Sequence, residues 1–497
     1  MTTNALLPLL IVASSLVTGL IIFMLPERAV FWRTALNLGG AILKIILLVI
    51  MMFGVTQGVE YEFRIPLVPG LDFVLHADAL ALLFVNLSAV LWLVTTIYAI
   101  GYLEDSPNRS RFFGYFSLCV TATVGLAMSG NLLTFLVFYE ALTLATYPLV
   151  VHRGTEIARR AGRVYLAYTL FGGALVLLGT IWLYSLAGTL DFVDGGFVSA
   201  LEVNTTVLQA LFWLLILGIG VKAAIFPMHV WLPQAMVAPA PVSALLHAVA
   251  VVKAGAFGVV RIVYDVFGVE FTDLLGVATP LAILSAFTII YGSVRALFQD
   301  DLKRRLAFST VSQVSYITLG VAIAGPIATI GGIVHLVHQG FMKITLFFCA
   351  GNYAETLGVH KVSELAGAGK RMPWTTAAFT LAAFGMIGVP PTAGFITKWY
   401  LGLGGLETGQ DWVVLVLAGS SLLNAAYFLP ILRTAWFDPP PDKWPHERQF
   451  GAKETAWALL LPPLFTGALA VLFGLLASMP GTPLDWVQLI AARKYVS

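Results

Sequence analysis

Apolar residues run along this chain in blocks long enough to cross a bilayer, parted by short polar or proline- and glycine-rich breaks. Fourteen blocks of about 18 to 30 residues can be marked, where about 20 cover the hydrocarbon core. They are approximately 5–25, 32–54, 78–103, 111–129, 131–151, 162–186, 207–227, 240–264, 274–296, 303–324, 326–356, 373–403, 411–436 and 453–478. Ala5 to Leu25 is followed by further spans, so it reads as the first helix and not as a cleaved leader. Glu60 to His76 (EYEFRIPLVPGLDFVLH) alternates and carries a Pro-Gly turn, which predicts a short extramembrane hairpin. Leu484 onward reads as a short terminal helix near the surface. The pattern predicts an all-α polytopic membrane protein.

Two blocks are interrupted. The seventh has Pro227 just past Lys222, and the twelfth contains GMIGVPPTAGFITKWYL, with Pro390, Pro391 and Gly394 ahead of Lys398. Proline removes a backbone donor and cannot continue a helix without cost. Broken helices at corresponding places in two halves point to an inverted-repeat transporter. The expected division is residues 1–110 (helices 1–3 and the hairpin), 111–265 (helices 4–8), 274–436 (helices 9–13) and 437–497 (helix 14 and tail).

Composition agrees. Of 497 residues, 59% are hydrophobic and 11% charged, with mean hydropathy +0.89. A chain this apolar has the bilayer as its solvent. A net charge of +2 gives no case for a nucleic-acid partner. Cys119 and Cys349 both lie in apolar runs and suggest no metal-ligand set. Of the 28 Lys and Arg, seven fall inside spans and eighteen in or beside the loops after odd-numbered spans. Three fall on the other side: Arg64, Arg493 and Lys494. By the positive-inside rule both termini are expected outside the cytoplasm, on the periplasmic side of the cell (inner) membrane.

The chemistry lies in the ionisable residues of the spans. Leu211 to Arg261 holds Lys222 and Lys253 in two apolar runs, with Pro227, Pro233, Pro239 and Pro241 between them and His247 after. An ammonium at bilayer depth costs about 2.5 to 3.5 kcal/mol on insertion scales. Buried lysines can exchange a proton near neutral pH, which makes proton movement the leading idea. Glu140, in NLLTFLVFYEALTLATYPLV, is the acid near mid-span, and Lys222 is its expected partner. Taken alone, that pair is a structural tie between the fifth and seventh helices. Lys253, Lys343, Lys398, His247, His335 and His338 have no acid left for them. That surplus argues for a hydrated relay.

His335, Gln339 and Lys343 recur every four residues and share one helix face. A lone membrane histidine is usually packing; one in such a stripe is a relay candidate. No carboxylate or thiol completes a metal set with His335 and His338. Lys44 is off-centre in its span and is expected to snorkel to a surface, outside the relay. Asp78 is expected to cap the third helix. GAGKR at Gly367 to Arg371 lacks the upstream glycine and following Ser/Thr of a phosphate loop, and there is no GxGxxG and no cysteine cluster. No cofactor is expected, so energy must come from an ion gradient or partner subunits.

PVSALLHAVAVVKAG, FQDDLKRRLAFSTVSQVSY, HLVHQGFMKITLFFCAG and GVPPTAGFITKWY resemble the antiporter-like subunits of respiratory complex I and of Mrp-type cation/proton antiporters. The likeness runs from HADALALLF to SLLNAAYFLPI. It implies fourteen helices, two inverted five-helix repeats and a polar axis in the mid-membrane plane. It implies that Glu140, Lys222, Lys253 and Lys398 are the residues of the fifth, seventh, eighth and twelfth helices on that axis. His247, His335 and His338 fall where the family often carries polar residues, and Lys343 belongs to the same pathway. The chain would then be no catalyst alone but a transporter subunit among other membrane subunits, moving protons and, in the antiporter branch, Na+. Alternatives within the resemblance are a complex I, membrane hydrogenase or formate hydrogenlyase redox pump, and the membrane subunit of a proton-driven inorganic-carbon uptake complex.

Overall fold

The computed structural model of the chain describes residues 3–103, 106–451 and 453–495. The terminal residues expected outside the cytoplasm, 1–2 and 496–497, lie beyond these, as does the Lys494 side chain. The membrane-crossing elements are α1 (Thr3–Met24), α2 (Val30–Thr56), α3 (Ala79–Tyr102), α4 (Arg109–Ala127), α5 (Leu132–Val150), α6 (Glu156–Ala187) and α7 (Thr205–Lys222). They continue with α8 (Ala240–Phe267) and α9 (Ala278–Leu297), then α10 (Leu302–Ala322) and α11 (Pro326–Leu357). The twelfth is split into α12a (Pro373–Ile387) and α12b (Ala393–Glu407), followed by α13 (Trp412–Phe437) and α14 (Trp457–Leu475). A last helix, α15 (Pro483–Tyr495), follows α14, and its Trp486 indole donates to the Ala79 carbonyl at 2.8 Å.

Among the described residues, eleven helices are long and apolar enough to cross a membrane by themselves. The other three expected spans are α4, α10 and the split twelfth. α10 is polar for a physical reason: residues 305–322 are all buried in protein, so Ser309, Gln313 and Tyr316 never meet lipid. α8 and α11 are equally enclosed, with their most apolar windows wholly buried, whereas α2 and α13 are one-third buried there. These three helices form the centre, and the rest wrap them.

From α4 to α8 and from α9 to α13 the chain repeats one order of elements. The third member of each series is a 32-residue helix (α6, α11) and the fourth is broken. α7 ends at Lys222, and a cis Phe226–Pro227 bond and short helical turns carry the chain to α8. The twelfth breaks at a cis Pro390–Pro391 bond. α6 and α7 touch backbone to backbone: a Cβ on Gly172 would stand 2.7 Å from the Gly218 carbonyl oxygen, and one on Gly218 2.8 Å from that of Gly172. Such small-residue contacts drive helix packing where lipid removes the hydrophobic contrast.

The hairpin forms as the alternation predicts. β1 (Glu62–Val68) pairs antiparallel with β2 (Leu71–His76), Glu62 opposite His76, with an irregularity between Pro66 and Val68. Asp78 caps α3, accepting from the Ala81 amide at 2.6 Å, and also takes Arg261 of α8 in a two-pronged ion pair at 2.6 and 2.8 Å. Asp265 holds the same guanidinium at 2.6 Å. Arg261 is therefore a closed ion pair that fastens α8 to α3.

Lys44 departs from expectation. It is 0% exposed and does not reach a surface. Its amine bonds Ser15 of α1 at 2.7 Å and sits 5.0 Å above the Trp92 ring of α3. Position along a helix suggests snorkelling, but the covering by α1, α3 and α4 closes the route.

Candidate functional site

Lys222 is the last residue of α7, where the helix stops before Pro227. Its amine donates to the Tyr139 carbonyl of α5 and lies 3.3 Å from the centre of the Tyr139 ring. The Tyr139 hydroxyl in turn donates to the Gly218 carbonyl at 2.9 Å, so one tyrosine grips α7 at two levels. Glu140 follows in the chain and turns elsewhere: its carboxylate fills the space above Gly173 of α6 that a Cβ would occupy. One carboxylate oxygen is buried with no protein partner. The charges of Glu140 and Lys222 act on each other, yet the direct ion pair expected from sequence is not formed among the described residues. The Tyr139 carbonyl has taken the amine, and the Gly173 recess holds the acid apart.

α8 starts irregularly. After Ala240–Ala244 the helix widens to a π turn over Leu245–Val249, which contains His247, then resumes as an α-helix from Val251. Such widened turns occur often at functional sites, since they free backbone groups and re-aim side chains. The His247 ring stacks on Phe347 of α11 with centroids 4.5 Å apart, and neither ring nitrogen has a protein partner. Lys253 is fully buried, and its amine likewise bonds no protein group. Its charge neighbour is Lys343. A buried polar group without a partner costs about 1–3 kcal/mol, more when charged, so these atoms call for water.

α11 carries the next part. His335 and His338 both meet one hydroxyl, Thr397 of α12b, through Nδ1 at 3.2 and 3.0 Å. Their Nε2 atoms and both ends of the Gln339 amide are buried and unpartnered. Lys343 donates to Ser309 of α10 at 2.8 Å. From there a set of contacts that the sequence does not announce runs outward. The Tyr427 hydroxyl of α13 lies 2.8 Å from the Ser309 hydroxyl and 2.8 Å from the Asn424 side-chain oxygen. The Asn424 amide donates to the Met386 carbonyl at 2.9 Å.

That carbonyl belongs to the last turn of α12a, where Lys398 also arrives. The Lys398 amine donates to Ile387 at 2.5 Å, Met386 at 3.3 Å and the Ser421 hydroxyl at 2.7 Å. Free carbonyls at a helix C-terminus attract a cation, so the break supplies the lysine's partners. Gly388, at φ 91°, ends α12a in the left-handed region and leaves room for the Lys398 stem.

Every residue expected on the axis is thus buried or half-buried in the interior, in two sets. Glu140 and Lys222 form one; His247, Lys253, Lys343, His335, His338 and Lys398 form the other. Ser309, Thr397, Asn424 and Tyr427 join them from the structure alone. The available signal was an asparagine and a tyrosine three residues apart in an apolar span, which share a helix face.

A bundle of membrane-length helices, two of its spans broken, around an enclosed row of bases defines the class, a polytopic membrane protein with a polar interior. The match to known proteins is specific. Residues 129–424 match the family described as NADH:quinone oxidoreductase/Mrp antiporter, TM, and the chain belongs to that family. It is 36% identical over 416 residues to NADH-quinone oxidoreductase subunit N of Desulforudis audaxviator, covering 80% of this chain and 81% of that protein. It is 29% identical over 419 residues to a Na(+)/H(+) antiporter subunit of Bacillus subtilis, covering 84% and 81%. Among solved structures, a chain of the Mrp complex from Dietzia sp. DQ12-45-1b superposes with TM-score 0.85 at 23% identity, covering 100% of this chain and 98% of that one.

Proposed function

We propose that this chain is a proton-conducting subunit of a multisubunit membrane complex, working beside other membrane subunits. The observation that carries the reading is the row of enclosed bases from Lys222 through Lys253 and Lys343 to Lys398, along which the Lys253 amine, both His247 nitrogens and the Nε2 atoms of His335 and His338 have no protein partner and call for water. Protons are taken up from the cytoplasmic side near Lys222 and His247 and held on Lys253. They then pass beside His335 and His338, with Lys343 at the junction, and leave from Lys398 toward the outer side. Glu140 governs the first step. Unit charges about 8 Å apart at an effective dielectric of ~20 interact by ~2 kcal/mol, roughly a 30-fold change in occupancy. Moving Glu140 toward or away from Lys222 is thus enough to gate a proton on the next amine. Residues 111–265 and 274–436 act as two inverted units around this axis, in the inner membrane with both termini outside the cytoplasm.

Two couplings fit. Exchange of protons for sodium is supported by the similarity to the Bacillus subtilis antiporter protein and to the Mrp complex. A redox-driven complex is supported by the higher identity to the Desulforudis audaxviator oxidoreductase protein. The experiment is a pH-sensitive dye inside sealed vesicles holding the whole complex. Luminal pH that responds to an imposed Na+ gradient supports antiport, and response to an electron donor with quinone supports redox pumping. Response to neither, with the complex assembled, removes the proton-conducting reading.

A further inference from the structure

Lys44 takes no part in the axis, yet it is as buried as any residue on it. It belongs to a buried stripe of α2 that also holds Arg33, Asn37 and Gly40. Its amine meets the Ser15 hydroxyl of α1 at 2.7 Å, and Thr121 of α4 reaches the same hydroxyl at 2.8 Å. The contacts then descend. Thr121 also bonds the Ser117 carbonyl at 2.9 Å, and the Ser117 hydroxyl lies 3.4 Å from the Asn37 side-chain oxygen. The Asn37 amide donates to the Arg33 carbonyl at 2.9 Å, and Arg33 donates to the Ser110 hydroxyl at 2.9 Å. Glu27 receives the backbone amides of Arg109 and Ser110 at the surface end. A polar seam between α1, α2 and α4 therefore joins Lys44 to the basic face of the protein.

A second set of polar groups lies on the helix that brings Trp92 to the amine. On α3, Ser88, Trp92, Thr95 and Thr96 share one helix face by their spacing, and the Trp92 ring lies beneath Lys44. All four are 0% exposed, and the side-chain polar atoms of all four lack a protein partner. Among the described contacts, α1, α3 and α4 present no charged group to Lys44. The charged residues of the seam are Arg33, Glu27 and Arg109, and Cys119 on α4 is turned to Thr146 of α5. A single interhelical hydrogen bond offsets only a fraction of the cost of an ammonium at this depth. Simple gluing of α1 to α2 does not account for a lysine here. Ser15 can serve both states of the amine. Its hydrogen goes to the Val12 carbonyl, 3.3 Å away, when Lys44 donates, and to the amine when Lys44 is neutral.

We propose that Lys44 is a second proton-binding site, separate from the axis and reached by water that enters from the basic face along the polar interface lined by Arg33, Asn37, Ser117, Thr121 and Ser15. The site stands or falls independently of transport along the axis. The test uses the assembled complex in membranes, with Cys119→Ser and Cys349→Ala as background. Lys44→Cys, Ser15→Cys and Asn37→Cys are exposed to a charged, impermeant thiosulfonate from each side, with Arg109→Cys marking the basic face and Leu48→Cys as the buried control. All three should react from the face that labels Arg109→Cys, severalfold faster than Leu48→Cys. In the unsubstituted chain, a permeant amine reagent read by mass spectrometry should modify Lys44 with a sigmoidal dependence on pH, which needs no variant to fold. Labelling from the opposite face, no labelling above the Leu48→Cys control, or a Lys44 that reacts at no pH would each overturn the proposal.

Discussion

The Lys398 amine donates to the Ile387 carbonyl at 2.5 Å, across the gap that parts the two halves of the twelfth helix. A helix ends there, and its unsatisfied carbonyls become the ligands of a buried cation. Charge reversal at this position should be worse than charge removal. Lys398→Glu would set a carboxylate against carbonyls, so the complex should assemble poorly, whereas Lys398→Met should assemble and conduct at a small fraction of the native rate. Assembly by native gel and proton flux by luminal dye distinguish the two.

Tyr427 should matter beyond its packing. Its hydroxyl reaches both Ser309 and Asn424, and so spans the distance between the Lys343 and Lys398 ends. Tyr427→Phe strands both partners in a buried place and should cost about 1–2 kcal/mol of stability. Proton flux per assembled complex should fall as well. Native flux with only a lowered unfolding midpoint would make the hydroxyl purely structural.

Gly173 should be intolerant of a single methyl group. A Cβ there overlaps the Glu140 carboxylate, so Gly173→Ala must push Glu140 out of its recess. Flux should drop toward that of Glu140→Ala, while Gly39→Ala, at a glycine with open space around it, should behave as native. Glu140→Asp should keep part of the flux.

His152, in the turn after α5, gives a pH prediction away from the membrane interior. Burial, with Arg111 and Arg153 beside it, lowers its pKa to about 4 from the usual 6.5. The folded protein thus holds His152 neutral where the unfolded chain would protonate it. Its contribution is fully present above pH 6.5 and is lost as pH falls toward 4. The unfolding midpoint should decline over that window, and His152→Gln should flatten the decline.

Much of this is legible in the sequence because proline and aspartate act locally. Pro227, Pro390 and Pro391 stand at the breaks they predict, although Pro148, Pro430, Pro462 and Pro463 lie within continuous helices, Asp78 caps the helix it precedes, and the Pro-Gly turn between β1 and β2 makes its hairpin. The fate of buried polar groups depends on neighbours distant in the chain, and there sequence says less. Charge alone pairs Glu140 with Lys222, but the Tyr139 carbonyl and the Gly173 recess keep them apart. Lys44 points to a surface on sequence grounds because nothing in its own span reveals Ser15 and Trp92 around it. Asn424 and Tyr427 look like ordinary tolerated polar residues until Ser309 and Met386 are seen beside them.

The central claim is that Lys253, buried and bonded to no protein group, carries each proton across the middle. The direct measurement is the initial rate of proton movement into vesicles by complexes bearing Lys253→Ala, normalised to assembled protein. The account predicts an assembled complex with flux at the level of empty vesicles. An assembled Lys253→Ala complex conducting at the native rate would contradict it.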